Sequence, residues 1–209
     1  MALQKRLTVS FYQRPAIEVA RDCLGKVLVH GPVAGKIVEV EAYLGTTDLA
    51  AHASRGITPR TKLLFGPPGY AYVYLIYGMY YCLNFVAEPE HSAGCVLIRA
   101  LEPLAGIEQM FVRRPAAKRV RDLASGPGRL ALAMGIDGAL NGSSLMDGPL
   151  EVHTPEDPEP FEIRTTPRIG ITRDADRPLR FLIAGNPFVS QPGFGLTRKH
   201  CPNPTEPRL

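Results

Sequence analysis

Two carboxylates and a phenol alternate along one short segment, Ile37-Val-Glu-Val-Glu-Ala-Tyr43. In a β-strand successive side chains point to opposite faces, so Glu39, Glu41 and Tyr43 share one face and the apolar residues between them share the other. A carboxylate on such a face can serve as a general base beside a ring that binds an aromatic group. An edge strand with a solvated acidic face has the same pattern, and the pattern does not choose between Glu39 and Glu41.

A second group of residues that could form a site is aromatic, since six of the eight tyrosines lie within residues 70–86. Aromatic and β-branched residues on both sides of Gly78 predict two strands joined by a tight turn, with Tyr77 at its tip. Aromatic residues are common in strands, so any one of these tyrosines could be ordinary sheet packing. A large ring at a turn tip has little core to fill, which favours a binding role.

The pairing of the two hairpin strands brings four side chains together. Folding the segment about its glycine sets Tyr72 opposite Asn84 and Tyr74 opposite Cys82, and alternation puts all four on one face. An amide among aromatic rings is costly to bury unless it finds a hydrogen-bond partner. Aromatic faces with one amide suit a site for a flat heterocycle.

Other elements must position these residues. Apolar spacing predicts a helix over residues 16–24 that stops at Gly25, and residues 104–110 also have a helical pattern. Strands are expected at residues 26–29, 37–43, 95–101, 168–172 and 179–183, with a loop-rich excursion at 141–160. The strand at 95–101 carries Arg99, which needs an anionic or polar partner if its surroundings are dry.

Positive charge is concentrated in two loops. Residues 54–69 form a basic loop before the hairpin, and residues 113–121 hold five basic side chains. Shortly afterwards Ser125-Gly-Pro-Gly leads into an apolar helical segment, and a glycine-rich loop that opens a helix is suited to a phosphate contact. Solvated basic loops have the same composition, so both interpretations stay open.

Composition sets the fold class. The chain has 209 residues, 45% of them hydrophobic, with 20 prolines and 20 glycines. Such frequent turns predict a loop-rich α+β domain and exclude a long-helix bundle. We expect one domain over residues 1–191, followed by an extended or mobile tail at 192–209. A net charge of +4 permits a nucleic-acid partner without establishing one.

The four cysteines have neither the spacing of a structural zinc site nor that of a disulfide framework, which favours a reducing compartment. No charged segment followed by an apolar core stands at the N-terminus, and no apolar run is long enough to span a membrane. We therefore expect a cytoplasmic protein with no membrane partner. We also expect no metal and no cofactor, because no metal-binding motif is present.

Several motifs follow one another in an order that is characteristic of one enzyme family. They are Val40-Glu-Ala-Tyr-Leu-Gly45, Ala51-His52, Thr58-Pro-Arg60, Tyr72-Val-Tyr-Leu-Ile-Tyr-Gly-Met-Tyr80, Asn84, residues 96–104, Ser125-Gly-Pro127, residues 177–181 and residues 186–190. The chain resembles the alkyladenine (3-methyladenine) DNA glycosylases of the mammalian type over most of residues 10–190. The resemblance implies a single domain with a curved, mainly antiparallel sheet, peripheral helices and a protruding β-hairpin. It also implies an enzyme that flips a damaged purine out of duplex DNA and hydrolyses its N-glycosidic bond, leaving an abasic site.

The resemblance assigns the catalytic chemistry to three residues. Glu41 matches the general base that activates a water. Arg99 matches a residue that helps to hold Glu41 and the water, together with the main-chain carbonyl of Ile169. Neither a Schiff-base lysine nor a strand-cleaving step is implied.

The same resemblance assigns four residues to the flipped base. Tyr43 and His52 would lie on one side of the base and Tyr74 on the other, so that the base stacks between them. Asn84 matches the residue whose amide crowds the 2-amino group of guanine. The pocket would therefore accept 3-methyladenine, hypoxanthine and ethenoadenine better than guanine.

Contacts with the rest of the DNA are implied for the hairpin tip and two loops. Tyr77 matches the wedge that fills the gap left by the flipped base, with Met79 and Tyr80 beside it in the minor groove. The further DNA-binding residues are Arg60, Ser125 and Gly126. The expected partner is double-stranded DNA that contains damaged purines, bound by a monomer.

Two other functions compete with this one. The first is a nucleic-acid-binding domain that stacks bases on the hairpin and performs no chemistry, although pure binding would gain nothing from a carboxylate near phosphates. The second is a carbohydrate glycosidase that uses Glu39 and Glu41. Successive same-face residues of a strand are only about 7 Å apart and point in parallel, which does not readily bracket a sugar from opposite sides.

Overall fold

The computed structural model describes residues 3–190, and all nine of the strands assigned there belong to one sheet. The predicted tail at 192–209 lies outside the described residues, so the division at residue 191 stays a prediction. The strands are β1 (Leu3–Arg6), β2 (Val27–His30), β3 (Val33–Leu44), β4 (Ala71–Ile76), β5 (Tyr80–Ala87), β6 (Gly94–Ala105), β7 (Leu150–Pro155), β8 (Ile163–Thr166) and β9 (Arg180–Ile183). The α-helices are α1 (Val9–Tyr12), α2 (Ala16–Cys23), α3 (Ile107–Arg113) and α4 (Pro127–Met134).

The sheet is antiparallel and curved, which confirms the predicted α+β class. Its strands follow the order β1-β7-β2-β3-β6-β5-β4, and β9 pairs with both β3 and β8. Strand β3 is central: β6 pairs along one of its edges, while β2 and then β9 pair along the other. The segment with the two glutamates therefore lies between β6 and β9, and no part of it is an edge strand.

The two faces of the sheet differ in composition. One face joins the helices in the main core, where α2 contributes Val19 and Ala20 and β5 contributes Leu83 and Phe85. The other face carries a smaller cluster around Tyr72, with the rings of Tyr43 and Tyr74 packed against it. The helices thus stabilise the sheet from one side and leave the other side available for a site.

The predicted hairpin is confirmed, including its register. Tyr72 pairs with Asn84 and Tyr74 pairs with Cys82 across β4 and β5. At the tip, Tyr77 and Gly78 have φ values of 53° and 69°, and the Met79 N–H closes the turn on the Ile76 carbonyl at 3.2 Å. Glycine tolerates this left-handed region readily, whereas a tyrosine there is uncommon.

Three predicted elements need correction. Strand β6 continues to Ala105, so the helix expected at 104–110 begins later, at Ile107, after Gly106 has turned the chain with a φ of 66°. Residues 168–172 form no strand, because Arg168 and Ile169 bond to side chains of the site instead of to a strand ladder. The excursion at 141–160 contains β7, which pairs with β1 and β2.

Between residues 3 and 190 no helix has the length and the apolar character needed to cross a lipid bilayer.

Candidate active site

The Glu41 carboxylate lies at the centre of the site, with 0% of the residue exposed. One oxygen, Oε1, accepts a hydrogen bond from the Ile169 N–H at 2.8 Å and lies 3.1 Å from Nη1 of Arg99. The other oxygen, Oε2, accepts a hydrogen bond from the Tyr43 hydroxyl at 3.0 Å. Three segments of the chain therefore fix the orientation of this carboxylate.

The Glu39 carboxylate is equally buried but differently engaged. Its Oε1 accepts hydrogen bonds from Nε of Arg99 at 2.9 Å, Nε of Arg180 at 2.7 Å and Oγ of Ser190 at 2.8 Å. Its Oε2 accepts the Ser190 N–H at 2.6 Å. Burial by itself would raise the pKa of Glu39, but the two guanidiniums and the Ser190 bonds outweigh it and hold the pKa below its ordinary value.

Arg99 joins the two carboxylates, because its Nε faces Glu39 while its Nη1 faces Glu41. Burial alone would lower the pKa of Arg99, yet the two glutamates raise it, so the side chain stays a cation. Its position depends on irregular pairing between β3 and β6. Consecutive β3 residues Glu39 and Val40 pair with Ala100 and Ile98, which leaves Arg99 as the extra residue of a bulge. Bulges commonly re-aim side chains next to active sites.

The Tyr43 ring has a guanidinium against one of its faces. Cζ of Arg168 lies 4.6 Å from the ring centroid. Arg168 is in turn held by Asp48, with Nη1 and Nη2 donating to the two carboxylate oxygens at 2.6 and 2.8 Å, and both side chains have 0% exposure. Burial alone would raise the pKa of Asp48, but the Arg168 hydrogen bonds help to lower it, so the pair remains ionised.

A cavity of about 670 Å³ opens beside the Glu41 carboxylate. Arg99, Tyr43 and Ile169, which all bond to that carboxylate, line it. The remaining walls come from His52, the hairpin and the start of α4. These lining residues include Tyr74, Tyr77, Tyr80, Cys82, Asn84, Leu97, Ser125, Gly126 and Gly170.

The rings of His52 and Tyr74 lie side by side, with centroids 4.5 Å apart. His52 is fixed there by a 2.9 Å hydrogen bond between its Nδ1 and the hydroxyl of Tyr72. A base between two parallel rings needs about 7 Å between them, twice the usual stacking separation of about 3.5 Å. The expectation that His52 groups with Tyr43, opposite Tyr74, is therefore wrong for this arrangement. His52 and Tyr74 share one wall, and among the described residues Tyr43 makes no ring contact with either.

The Asn84 side chain lies on the cavity wall and is 3% exposed. Its Nδ2 donates to the Tyr72 main-chain carbonyl at 3.1 Å across the hairpin. This bond satisfies part of the amide and fixes its plane. The strand pairing thus sets the direction in which Asn84 can hydrogen-bond to anything in the cavity.

Four of the six predicted DNA-binding residues line the cavity, namely Tyr77, Tyr80, Ser125 and Gly126. Tyr77 is 71% exposed and Met79 is 58% exposed at the hairpin tip. Tyr80, which starts β5, packs against Gly128 in the first turn of α4, where an added Cβ would lie 3.0 Å from Cβ of Tyr80. Of the remaining three, Ser125 and Gly126 directly precede the first residue of α4, and Arg60 lies in the adjoining cleft.

A second, more polar cleft adjoins the cavity. It has a volume of about 440 Å³ and shares His52 and Gly170 with the first cavity. Three arginines, Arg55, Arg60 and Arg173, line this basic cleft. Arg60 also lies over the Tyr74 ring, with its Cζ 5.1 Å from the centroid. The cleft therefore combines positive charge with direct access to the aromatic wall.

Comparison with known proteins identifies the family to which the chain belongs. The family described as Methylpurine-DNA glycosylase (MPG) matches residues 10–187. The chain belongs to this family. It is therefore a DNA glycosylase of base-excision repair, and apart from Ser190 the residues that line the cavity lie within the matched region.

The similarity to individual relatives extends over most of the chain. A protein of Methanoculleus marisnigri is 49% identical over 191 residues, which cover 88% of this chain and 98% of the relative. A Chlorobaculum parvum protein is 47% identical over 201 residues, or 93% of this chain and 95% of the relative. A Legionella pneumophila protein is 47% identical over 194 residues, or 90% and 99% of the two chains. Each is named "Putative 3-methyladenine DNA glycosylase".

Several residues of this methylpurine-DNA glycosylase site were not singled out from the sequence. Arg180 stands in an otherwise apolar strand, the same signal that identified Arg99, and could have been found in that way. Ser190 and the Asp48–Arg168 pair gave no local signal, since the Ser190 N–H bonds to Glu39, 151 residues away, and Asp48 and Arg168 are 120 residues apart. At Ile169 the contact with Glu41 is made by the N–H, and a role for its carbonyl stays a prediction.

Proposed function

We propose that the protein releases 3-methyladenine, hypoxanthine and ethenoadenine from double-stranded DNA by hydrolysing the N-glycosidic bond. The observation that carries this proposal is the Glu41 carboxylate, held by three donors beside an aromatic cavity large enough for a purine. A pure binding domain would gain nothing from a carboxylate buried there. Glu39, the second carboxylate that a sugar hydrolase would need, accepts four hydrogen bonds from Arg99, Arg180 and Ser190, three of them at Oε1.

In the proposed reaction, Glu41 takes a proton from a water whose oxygen attacks C1′ of the flipped nucleotide. The bond between C1′ and the purine nitrogen breaks, and its electron pair leaves with the base. A hydroxyl remains on C1′, which is the abasic product. The carboxylate also stabilises positive charge that develops on the sugar ring. Arg99 and the Ile169 N–H hold the Glu41 Oε1, while Oε2, with a single donor in Tyr43, keeps capacity to accept from the water.

The aromatic walls would hold the flipped base. Tyr43 offers a ring on one side of the cavity, and the adjoining rings of His52 and Tyr74 offer a surface on the other. Stacking on such rings stabilises a base by about 1–3 kcal/mol without requiring one fixed pattern of hydrogen bonds. Asn84 would reject guanine by crowding its 2-amino group, since its amide is already oriented by the Tyr72 carbonyl.

The surface around the cavity would bind the duplex. Tyr77 would fill the gap left by the flipped nucleotide, with Met79 and Tyr80 in the minor groove. The basic cleft beside the cavity would take phosphates next to that nucleotide. Ser125 and Gly126, where α4 begins, would contact a further stretch of backbone. Because one chain supplies every part, we propose that a monomer acts.

An excision assay tests the proposed function. Duplexes that carry 3-methyladenine, hypoxanthine, ethenoadenine or 7-methylguanine are incubated with the protein, and released bases are identified by chromatography. We expect free 3-methyladenine and the two adenine-like lesions, together with abasic DNA. Binding of the duplexes without release of any base would contradict the proposal and favour the non-catalytic domain.

Borohydride reduction tests the water mechanism separately. Among the described residues that line the cavity there is no lysine that could attack C1′. We therefore expect borohydride to trap no covalent complex of enzyme and DNA during base release. A trapped adduct on a denaturing gel would show that an amine of the protein is the nucleophile instead of water.

A further inference from the structure

The guanidinium behind Tyr43 has no place in the proposed hydrolysis. Arg168 contacts the Tyr43 ring, yet it does not reach the cavity wall, and its side chain has 0% exposure. The guanidinium therefore covers the face of the ring that points away from the cavity. Nη1 and Nη2 bond to Asp48, and Nη1 also donates to the Ala42 carbonyl, whereas the Nε is buried and has no hydrogen-bond partner among the described residues.

The charges buried around the cavity are evenly matched. Three carboxylates and three guanidiniums lie within hydrogen-bonding networks there, namely Glu39, Glu41, Asp48, Arg99, Arg168 and Arg180. Arg99 and Arg180 are committed to the two glutamates, whereas Arg168 is the one among these that lies against a ring lining the cavity. Loss of Arg168 would therefore change both the sum of the charges and the charge felt through Tyr43.

We propose that Arg168, acting through the ring of Tyr43, determines how the enzyme balances cationic against neutral damaged bases. This inference rests on the proposed function. A purine methylated at N3 or N7 carries a positive charge while it is attached to the sugar, whereas hypoxanthine and ethenoadenine are neutral. A cation on the far face of Tyr43 makes the electrostatic potential at the near face less negative. This weakens the stacking of a cationic base relative to a neutral one.

Distance makes the effect large enough to measure. A base stacked on the cavity face of Tyr43 would lie about 3.5 Å from the ring. Because the Arg168 Cζ is 4.6 Å from the centroid on the other side, base and guanidinium are separated by about 8 Å. At an effective dielectric constant of about 20, a unit charge at that distance changes the affinity for a cation by at least about tenfold. In the wild-type protein the Asp48 carboxylate, which is bonded to Arg168, offsets part of the effect of the guanidinium.

The test is a competition between cationic and neutral lesions in one reaction. Methylated duplex DNA supplies cationic 3-methyladenine and 7-methylguanine, a second duplex supplies neutral hypoxanthine, and the initial rates of release are compared as a ratio. Because both substrates meet the same enzyme molecules, a variant that is partly unfolded lowers both rates and leaves the ratio unchanged. The ratio therefore reports specificity apart from stability.

Arg168→Gln removes the charge and should shift the ratio about tenfold toward the cationic bases. Arg168→Lys is the matched control, since it keeps the charge and should stay near the wild-type ratio even if both rates fall. Asp48→Asn leaves the guanidinium uncompensated and should shift the ratio the opposite way, toward hypoxanthine. This opposite shift tests the inference even if Arg168→Gln fails to fold.

The outcomes separate this inference from the proposed function. If the wild-type enzyme releases no base from either duplex, the proposed function is wrong, and the inference that rests on it is wrong as well. If the wild type releases both kinds of base while Arg168→Gln and Asp48→Asn scale the two rates equally, the function stands and the inference is overturned. Shifts of the same sign in both variants would also overturn it.

Discussion

Glu39 and Glu41 stand two positions apart on β3, yet their carboxylates have different surroundings. Glu39 is bonded to two arginines and to Ser190 at the end of the described chain. Glu41 shares Arg99 and otherwise faces groups that line the cavity. At the scale of single residues, this contrast separates an anchoring carboxylate from one placed for chemistry, a choice that the strand pattern alone leaves open.

Glu41→Gln should retain binding to damaged duplex and lose base release. The amide cannot take a proton from water, and loss of a general base commonly lowers a rate by about 10²- to 10⁴-fold. Single-turnover excision and gel-shift binding measure the two effects. Near-normal excision would remove Glu41 from the mechanism.

Glu39→Gln is the matched comparison for that variant. It leaves Arg99 and Arg180 without their shared carboxylate, and breaking a buried ion pair costs about 3–5 kcal/mol. Urea unfolding should therefore show a larger loss of stability for Glu39→Gln than for Glu41→Gln, in which Arg99 keeps its bond to Glu39.

His52 predicts a pH dependence of stability. Burial, and then the positive charges of Arg60 and Arg55, lower the pKa of His52 below its ordinary value of 6.5. Below pH 6.5 the unfolded chain therefore binds a proton that the folded protein does not, so the free energy of unfolding falls as the pH drops toward the lowered value. His52→Gln should remove this contribution. Urea unfolding of both proteins at several pH values between neutral and mildly acidic measures the difference, and parallel curves would contradict it.

The hairpin of β4 and β5 is the element that the proposed function places against the duplex. Tyr77→Ala should lower excision from duplex DNA by more than tenfold and affect single-stranded substrate less, because only the duplex must be unstacked. Tyr77→Phe keeps the ring and serves as the control. Initial excision rates are compared on single-stranded and duplex substrates of the same sequence, and equal losses on both would exclude a wedge role.

Elements with strong local patterns could be predicted from the sequence, and the hairpin register is the best example. Alternation and one glycine were enough to pair Tyr72 with Asn84, as the structure has them. The bulge at Arg99 could not be predicted, since it depends on how β3 and β6 fit together. Likewise, the local pattern predicted a strand at Arg168. Its bond to Asp48, 120 residues away, overrides that pattern.

At the scale of the whole molecule, the placement of charge matters more than the net charge of +4. Arg55 and Arg173 line the basic cleft beside the cavity. Arg21 lies on α2, which packs on the opposite face of the sheet, with its Cζ 5.5 Å from the Phe181 ring centroid. A duplex centred on the cavity would meet the first two arginines and not the third.

Salt dependence of DNA binding should follow that placement. Arg55→Ala or Arg173→Ala should reduce the slope of log affinity against log salt by about 0.9, as expected for one lost phosphate contact. Arg21→Ala should leave the slope unchanged. Fluorescence anisotropy over a series of salt concentrations measures the slopes, and equal effects of all three substitutions would show that the cleft does not bind phosphate.

The bonds that fix the two glutamates also impose an order on biosynthesis. Glu41 and Ile169 are 128 residues apart, and Glu39 and Ser190 are 151 residues apart. A chain emerging from the ribosome can form the hairpin early, from neighbouring residues, but Glu39 meets Ser190 only after almost the whole domain has been synthesised. Nascent or prematurely released chains can thus expose the aromatic hairpin while Glu39 and Glu41 lack their partners. By the proposed mechanism, base release therefore requires that synthesis has passed Ile169, which holds Glu41, and Ser190, which holds Glu39.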